Sequence, residues 1–114
     1  MTRAMTCAAL AFSLQPVAAQ TLPLNDYPTE ARAEYVFGCM AVNGQTAEAL
    51  RQCSCAIDVI ATVLPYERYV LAETVLEMRQ TSGERSTLFR DTAPANSFVA
   101  DLHRAGAEAE IICF

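Results

Sequence analysis

The sequence contains no lysine and no tryptophan, a single histidine and only four glycines in 114 residues. Eight arginines are its only fixed cations, set against thirteen acids for a net charge of −5. That balance excludes the basic stripe on which nucleic-acid binding relies. There is no glycine-rich phosphate loop, no G-x-S-x-G elbow, no H-E-x-x-H pair, no EF-hand loop and no C-x-x-C-H haem attachment signal, so nothing in the chain spells a known catalytic or cofactor constellation. His103 has Val99 and Ala107 at i±4. Without a companion on its own face it reads as a solvent-facing residue beside Arg104 rather than a general base or metal ligand. Charged residues make up only 18% and apolar ones 53%, the opposite of a disordered composition. The length suits one domain.

The first nineteen residues read as an address. Arg3 supplies a positive start, Ala4 to Leu14 is apolar apart from Thr6 and Ser13, and Pro16 interrupts before Val17-Ala18-Ala19. Small residues there match a signal-peptidase site, which predicts a mature chain from Gln20. The apolar run falls short of the roughly 20 residues a membrane span needs. The expected organisation is a signal peptide over 1–19, a loose or extended lead-in over 20–28 and one helical domain over 29–114. Export to the periplasm or beyond follows from the leader.

Cleavage removes Cys7 and leaves Cys39, Cys53, Cys55 and Cys113. An even cysteine count in a small exported domain predicts two disulfides, and a chain of this size gains from such staples. A Cys53–Cys55 bond would close a tiny strained ring. On a helix those two side chains point about 200° apart, which favours two separate partners. Cys53 shares a face with Ile57, Ile60 and Leu64. That face favours Cys39–Cys53 with Cys55–Cys113, the swapped pairing being the close alternative. The competing reading makes Cys53-Ser54-Cys55 a redox pair or a soft-metal site, with Met40 as a further ligand. The C-x13-C-x-C spacing lacks the paired C-x2-C of zinc modules.

Helical periodicity runs through the remainder. Thr29 to Val42 forms one segment, with Tyr35, Cys39 and Val42 on a common face beside Val36 and Met40, and Asn43-Gly44 stops it. Thr46 can cap Ala47 to Leu50. Ile57, Ile60, Ala61 and Leu64 follow at helical spacing until Pro65. Tyr66 to Gln80 carries an expected inward stripe of Val70, Leu71, Thr74, Val75 and Met78. After Thr81-Ser82-Gly83-Glu84 the chain turns polar except for Leu88 and Phe89, which look like loop anchors. Thr92 and Pro94 announce a last helix whose seam is Phe98, Leu102, Ala105, Ala109 and Ile112. Ile111 to Phe114 is the only β-like segment. The fold class is all-α, a small four- or five-helix bundle stapled by two disulfides.

Such a chain fits a non-catalytic binding or accessory protein that recognises a protein partner through helical faces, and it calls for no cofactor. The alternative is thiol-redox or copper handling at Cys53-Ser54-Cys55. Tyr66 and Tyr69 cannot both face the centre of one helical stripe. An exposed patch of Tyr66, Tyr69 and Leu76 is therefore expected, with Glu73 and Glu77 as a charged rim and Arg68 or Arg79 nearby to soften their repulsion. Tyrosine is favoured as an interface anchor. The carboxylates would steer a basic partner.

Overall fold

The computed structural model describes residues 25–81 and 90–114, so the leader, residues 20–24 of the lead-in, and Leu88 and Phe89 lie outside the described residues. Four helices are found among the described residues: α1 (Thr29–Asn43), α2 (Ala47–Val63), α3 (Tyr66–Gln80) and α4 (Ala93–Cys113). Their boundaries have local causes. The Thr46 hydroxyl accepts from the Ala49 N–H at 3.0 Å and opens α2. Thr92 does the same for Ala95 at 3.3 Å, with Pro94 in the first turn of α4. Gly44 ends α1 at φ 109°, a conformation that an L side chain strains to adopt. The Ala47–Leu50 segment and the Ile57–Leu64 pattern are one continuous helix. The C-terminal segment expected to be β-like is helical through Cys113, because Phe114 N–H still bonds the Glu110 carbonyl at 3.1 Å.

The core lies where α2 and α3 pack on α4. Ile57, Ile60, Ala61 and Leu64 are buried as their spacing requires. Ala56, Ala72, Ala105 and Ala109 bring the backbones close. Two stripes meet expectation only in part: Val75 of α3 and Leu102, Ala105 and Ala109 of α4 turn inward as expected. On α3 the buried residues are Tyr69, Ala72 and Val75, while Val70 and Leu71 are exposed. On α4 the seam is Ala95, Val99, Leu102, Ala105 and Ala109, leaving Ile112 exposed. Both helices carry apolar residues on more than one face, so periodicity alone could not choose between them.

α1 differs from the others in contributing no fully buried residue. It packs along α2 and forms no comparable interface with α3 or α4. Three things hold it. Cys39 is bonded to Cys53, whose side chain is 0% exposed. Tyr35 and Val36 pack against the core, and Arg32 pairs with Asp58 at 3.7 Å. The second disulfide, Cys55–Cys113, ties the end of α4 to α2 across 58 residues. The favoured pairing is thus the one formed.

The chain before α1 is not loose where it can be seen. Tyr27 is 4% exposed and belongs to the core. Its ring centroid lies 5.1 Å from those of both Tyr66 and Tyr69. Its hydroxyl donates to the Leu64 carbonyl at 2.7 Å. Asp26 accepts from the Tyr66 N–H at 2.9 Å, supplying the N-terminal partner that Pro65 cannot offer α3.

Chain-entropy arithmetic gives about 3 kcal/mol for the Cys39–Cys53 loop and about 4 kcal/mol for the Cys55–Cys113 loop. Replacing Cys55 and Cys113 together by Ala should lower global stability by about that larger amount, whereas replacing Cys39 and Cys53 should release α1 first. Hydrogen exchange by α1 amides, rising before those of α2 and α4, is the readout. Tyr27→Phe should cost about 1–2 kcal/mol in urea denaturation, since the Leu64 carbonyl loses its buried donor.

Candidate functional site: an acidic, tyrosine-floored trough

Because α1 stands off from α3 and α4, an open trough runs between them. On the α1–α3 side it measures about 560 Å³ and is walled by Ala31, Glu34, Gly38 and Val42 of α1 and by Val70, Glu73, Thr74 and Glu77 of α3. It continues towards α4 as a space of about 850 Å³ bordered by His103, Gly106, Glu110 and Phe114, with Ile60 and Leu102 beneath. Tyr35, Cys39, Asn43 and Glu73 line both parts, so the two are one feature.

Each wall follows from helical geometry. Tyr66, Tyr69, Val70, Glu73, Thr74 and Glu77 repeat every three or four residues and form one stripe of α3, about 16 Å long. Ala31, Tyr35, Gly38 and Val42 form the matching stripe of α1. Small residues keep that wall low: a Cβ built at Gly38 would meet nothing within 4 Å. Val42, expected on an inward face, is 85% exposed.

The electrostatics are one-sided. Among the described residues the lining includes Glu34, Glu73, Glu77 and Glu110 and no arginine. The arginines expected to soften Glu73 and Glu77 turn the other way, towards α4. Arg68 pairs with Asp101 and lies 4.8 Å over the Phe98 ring. Arg79 donates to the Arg90 carbonyl and, at 2.8 Å, to Asn96 Oδ1. Asp101 also takes Arg104 at 3.4 Å. None of the ion pairs among the described residues reaches Glu34, Glu73 or Glu77.

Glu73 feels this most. Burial, then the neighbouring Glu77 and Glu34, hold its carboxyl above the usual range. Burial, with Glu110 and Glu73 adding, pushes the Tyr35 phenol up. Tyr69 is pushed up strongly by burial and then by Glu73. The acids are strung along the trough rather than gathered: among the described residues no three His, Cys, Asp or Glu side chains are grouped to hold a metal ion.

Of the residues singled out from the sequence, Tyr66, Tyr69, Glu73 and Glu77 line this trough, and Leu76 does not. Leu76 is half-buried against the core. The exposure expected of Tyr69 is corrected: it is 8% exposed, covered by Tyr27, whose approach from the lead-in no helical period could reveal. The accessible aromatic surface comes from Tyr66 and from Tyr35. Glu34 was missed. It stands one residue before Tyr35, and only the folded arrangement brings it opposite Glu73.

His103 is exposed and borders the trough's α4 end. Cys53 and Cys55 are bonded to different partners, so the Cys53-Ser54-Cys55 motif carries no dithiol in this state. Met40 lies in a shallower groove between α1 and α2, with Val36, Phe37 and Ile57. Among the described residues no helix is long and apolar enough to cross a membrane. The two disulfides fit an oxidising, extracytoplasmic setting. No family model, curated protein or solved structure matches the chain.

The raised Glu73 carboxyl sets a pH dependence. The folded state holds this proton more tightly than the unfolded state does, so ionisation costs stability. The cost is absent below the ordinary carboxylate range, grows as pH rises through the raised value and is complete above it. Glu73→Gln should therefore raise stability at neutral pH by on the order of 0.5 kcal/mol. The gain should vanish below about pH 4, where the unfolded carboxyl is also protonated. Urea titrations at the two pH values measure it.

Proposed function

We propose that this chain is an exported, non-catalytic accessory protein of the periplasm or extracellular space that binds a protein partner in the trough between α1 and α3/α4. The observation that carries the reading is an α1 without a fully buried residue of its own, standing beside an aromatic floor. Tyr66 and Tyr69 stack there at 6.3 Å between centroids. A concave, half-apolar surface with polar rims is the form in which helical proteins take other chains. The leader-like start of the sequence and the two disulfides support export.

The mature protein is expected to begin at Gln20 and to be recovered with a partner bound at this face. A photo-crosslinking amino acid placed at Val42 or Thr74, on the two walls, should yield a discrete adduct in the protein's own cell. The same group at Ala100, exposed on α4 away from the trough, should not. Adducts from Ala100 alone would move the interface elsewhere, and a mature chain retaining Met1 would remove the argument for export.

A further inference from the structure

We propose that the occupant of the trough is a cationic amphipathic helix of another protein, about three turns long, with lysine or arginine repeated at i, i+3 or i+4 along one side. The inference rests on the trough being the binding face. It adds the chemistry and shape of what enters.

Three observations select that occupant. The first is charge. Glu34 on one wall faces Glu73 and Glu77 on the other, Glu110 stands at the α4 end, and no arginine among the described residues lines either part. Burial, with Glu77 and then Glu34 adding, holds the Glu73 carboxyl above its usual range. A cation laid between the walls reverses the repulsion among these carboxylates into attraction, and in a half-buried groove the attraction is screened less than on an open surface.

The second is shape. The lining of α3 is a straight stripe from Tyr66 to Glu77, matched by the low wall of Ala31, Gly38 and Val42 on α1. An extended strand would find no sheet edge to pair with among the described residues, which hold helices only. A helix satisfies its own backbone and needs only side-chain contacts. Its apolar side would meet Tyr35 and Tyr66, while its cations reach Glu34 and Glu73.

The third is what this chain lacks. Its eight arginines stand at 3, 32, 51, 68, 79, 85, 90 and 104, and it has no lysine. No two of them are within four residues of each other. No segment of this chain can therefore present two cations one turn apart, neither the residues outside the described ones nor a second copy. The complementary helix therefore comes from outside these 114 residues.

The test uses the disulfide-intact protein and a fluorescent helical peptide of Leu and Lys patterned on a 3.6-residue period. Controls are the same peptide with Glu in place of Lys, the same composition in scrambled order, and spermine. The Lys helix should bind, and binding should weaken at least about tenfold in the double variant E34Q/E73Q and with added salt. Gly38→Phe, which points a ring into open space in the trough, should also abolish binding while leaving the melting temperature unchanged or higher. E67Q, an exposed acid on α3 outside the trough, should bind as the parent does.

Equal weakening by E67Q would reduce the effect to general acidity and overturn the proposal. So would equal binding of the Glu or scrambled peptide, or displacement of the Lys helix by spermine at matched charge. If wall positions crosslink a cellular partner while the Lys helix fails to bind, the trough remains the interface and the cationic-helix assignment is wrong. If both fail, the interface reading falls with it.

Discussion

Two cysteines one residue apart on α2 govern the architecture. On a helix their side chains leave in nearly opposite directions. Cys53 reaches into the core side and takes Cys39 of α1, while Cys55 takes Cys113 at the end of α4. The consequence is unequal. α4 also packs broadly on α2 and α3, so its disulfide reinforces an interface that already exists. α1 has no fully buried residue and is held on α2 by Tyr35, Val36 and the Arg32–Asp58 pair, so its disulfide carries a larger share of its attachment. The side of α1 that looks towards α3 is left open. The trough is the direct product of that arrangement.

A surface of this kind carries a cost that packing alone would not select. Glu34, Glu73 and Glu77 line one trough without an ion-pair partner among the described residues, although Arg68 and Arg79 sit on the same helix as two of them. Those arginines are instead used to lock α3 to α4 through Asp101, Phe98 and Asn96. The result is a well-neutralised seam on one side of α3 and an unneutralised stripe on the other. Local conflicts of this sort are where function is most often found. The Tyr27–Tyr66–Tyr69 cluster sits directly beneath. It anchors the start of the chain through the Leu64 carbonyl and gives the trough a rigid base.

The sequence was legible where a single residue type has a single physical use. Thr46 and Thr92 as caps, Gly44 as a stop and Pro94 in a first turn all act within four residues of themselves, so no tertiary knowledge is needed to place them. The inward face of α2 was equally plain, because Ile57, Ile60, Ala61 and Leu64 recur at helical spacing in line with Cys53. α3 and α4 were ambiguous for the opposite reason. Val70 and Leu71 compete with Tyr69 and Ala72, and Phe98 and Ile112 compete with Val99, so the partner helix decided which side turned in. Of the candidate site, Glu73 and Glu77 were legible as an i, i+4 pair and Tyr66 as a residue off the main stripe. Glu34 was not, since it meets α3 only across the trough.

The sequence by itself determined the helical class, the end of α1, the starts of α2 and α4 and the opposed directions of the two cysteines on α2, because each depends on local backbone geometry and on the 3.6-residue repeat. Tertiary structure decided the burial of Tyr27 and Tyr69, the turning of Arg68 and Arg79 away from the acids, and the gap beside α1. Those depend on which surfaces meet across long separations. That outcome is set by competition among alternative burials and ion pairs, and no local pattern records who wins.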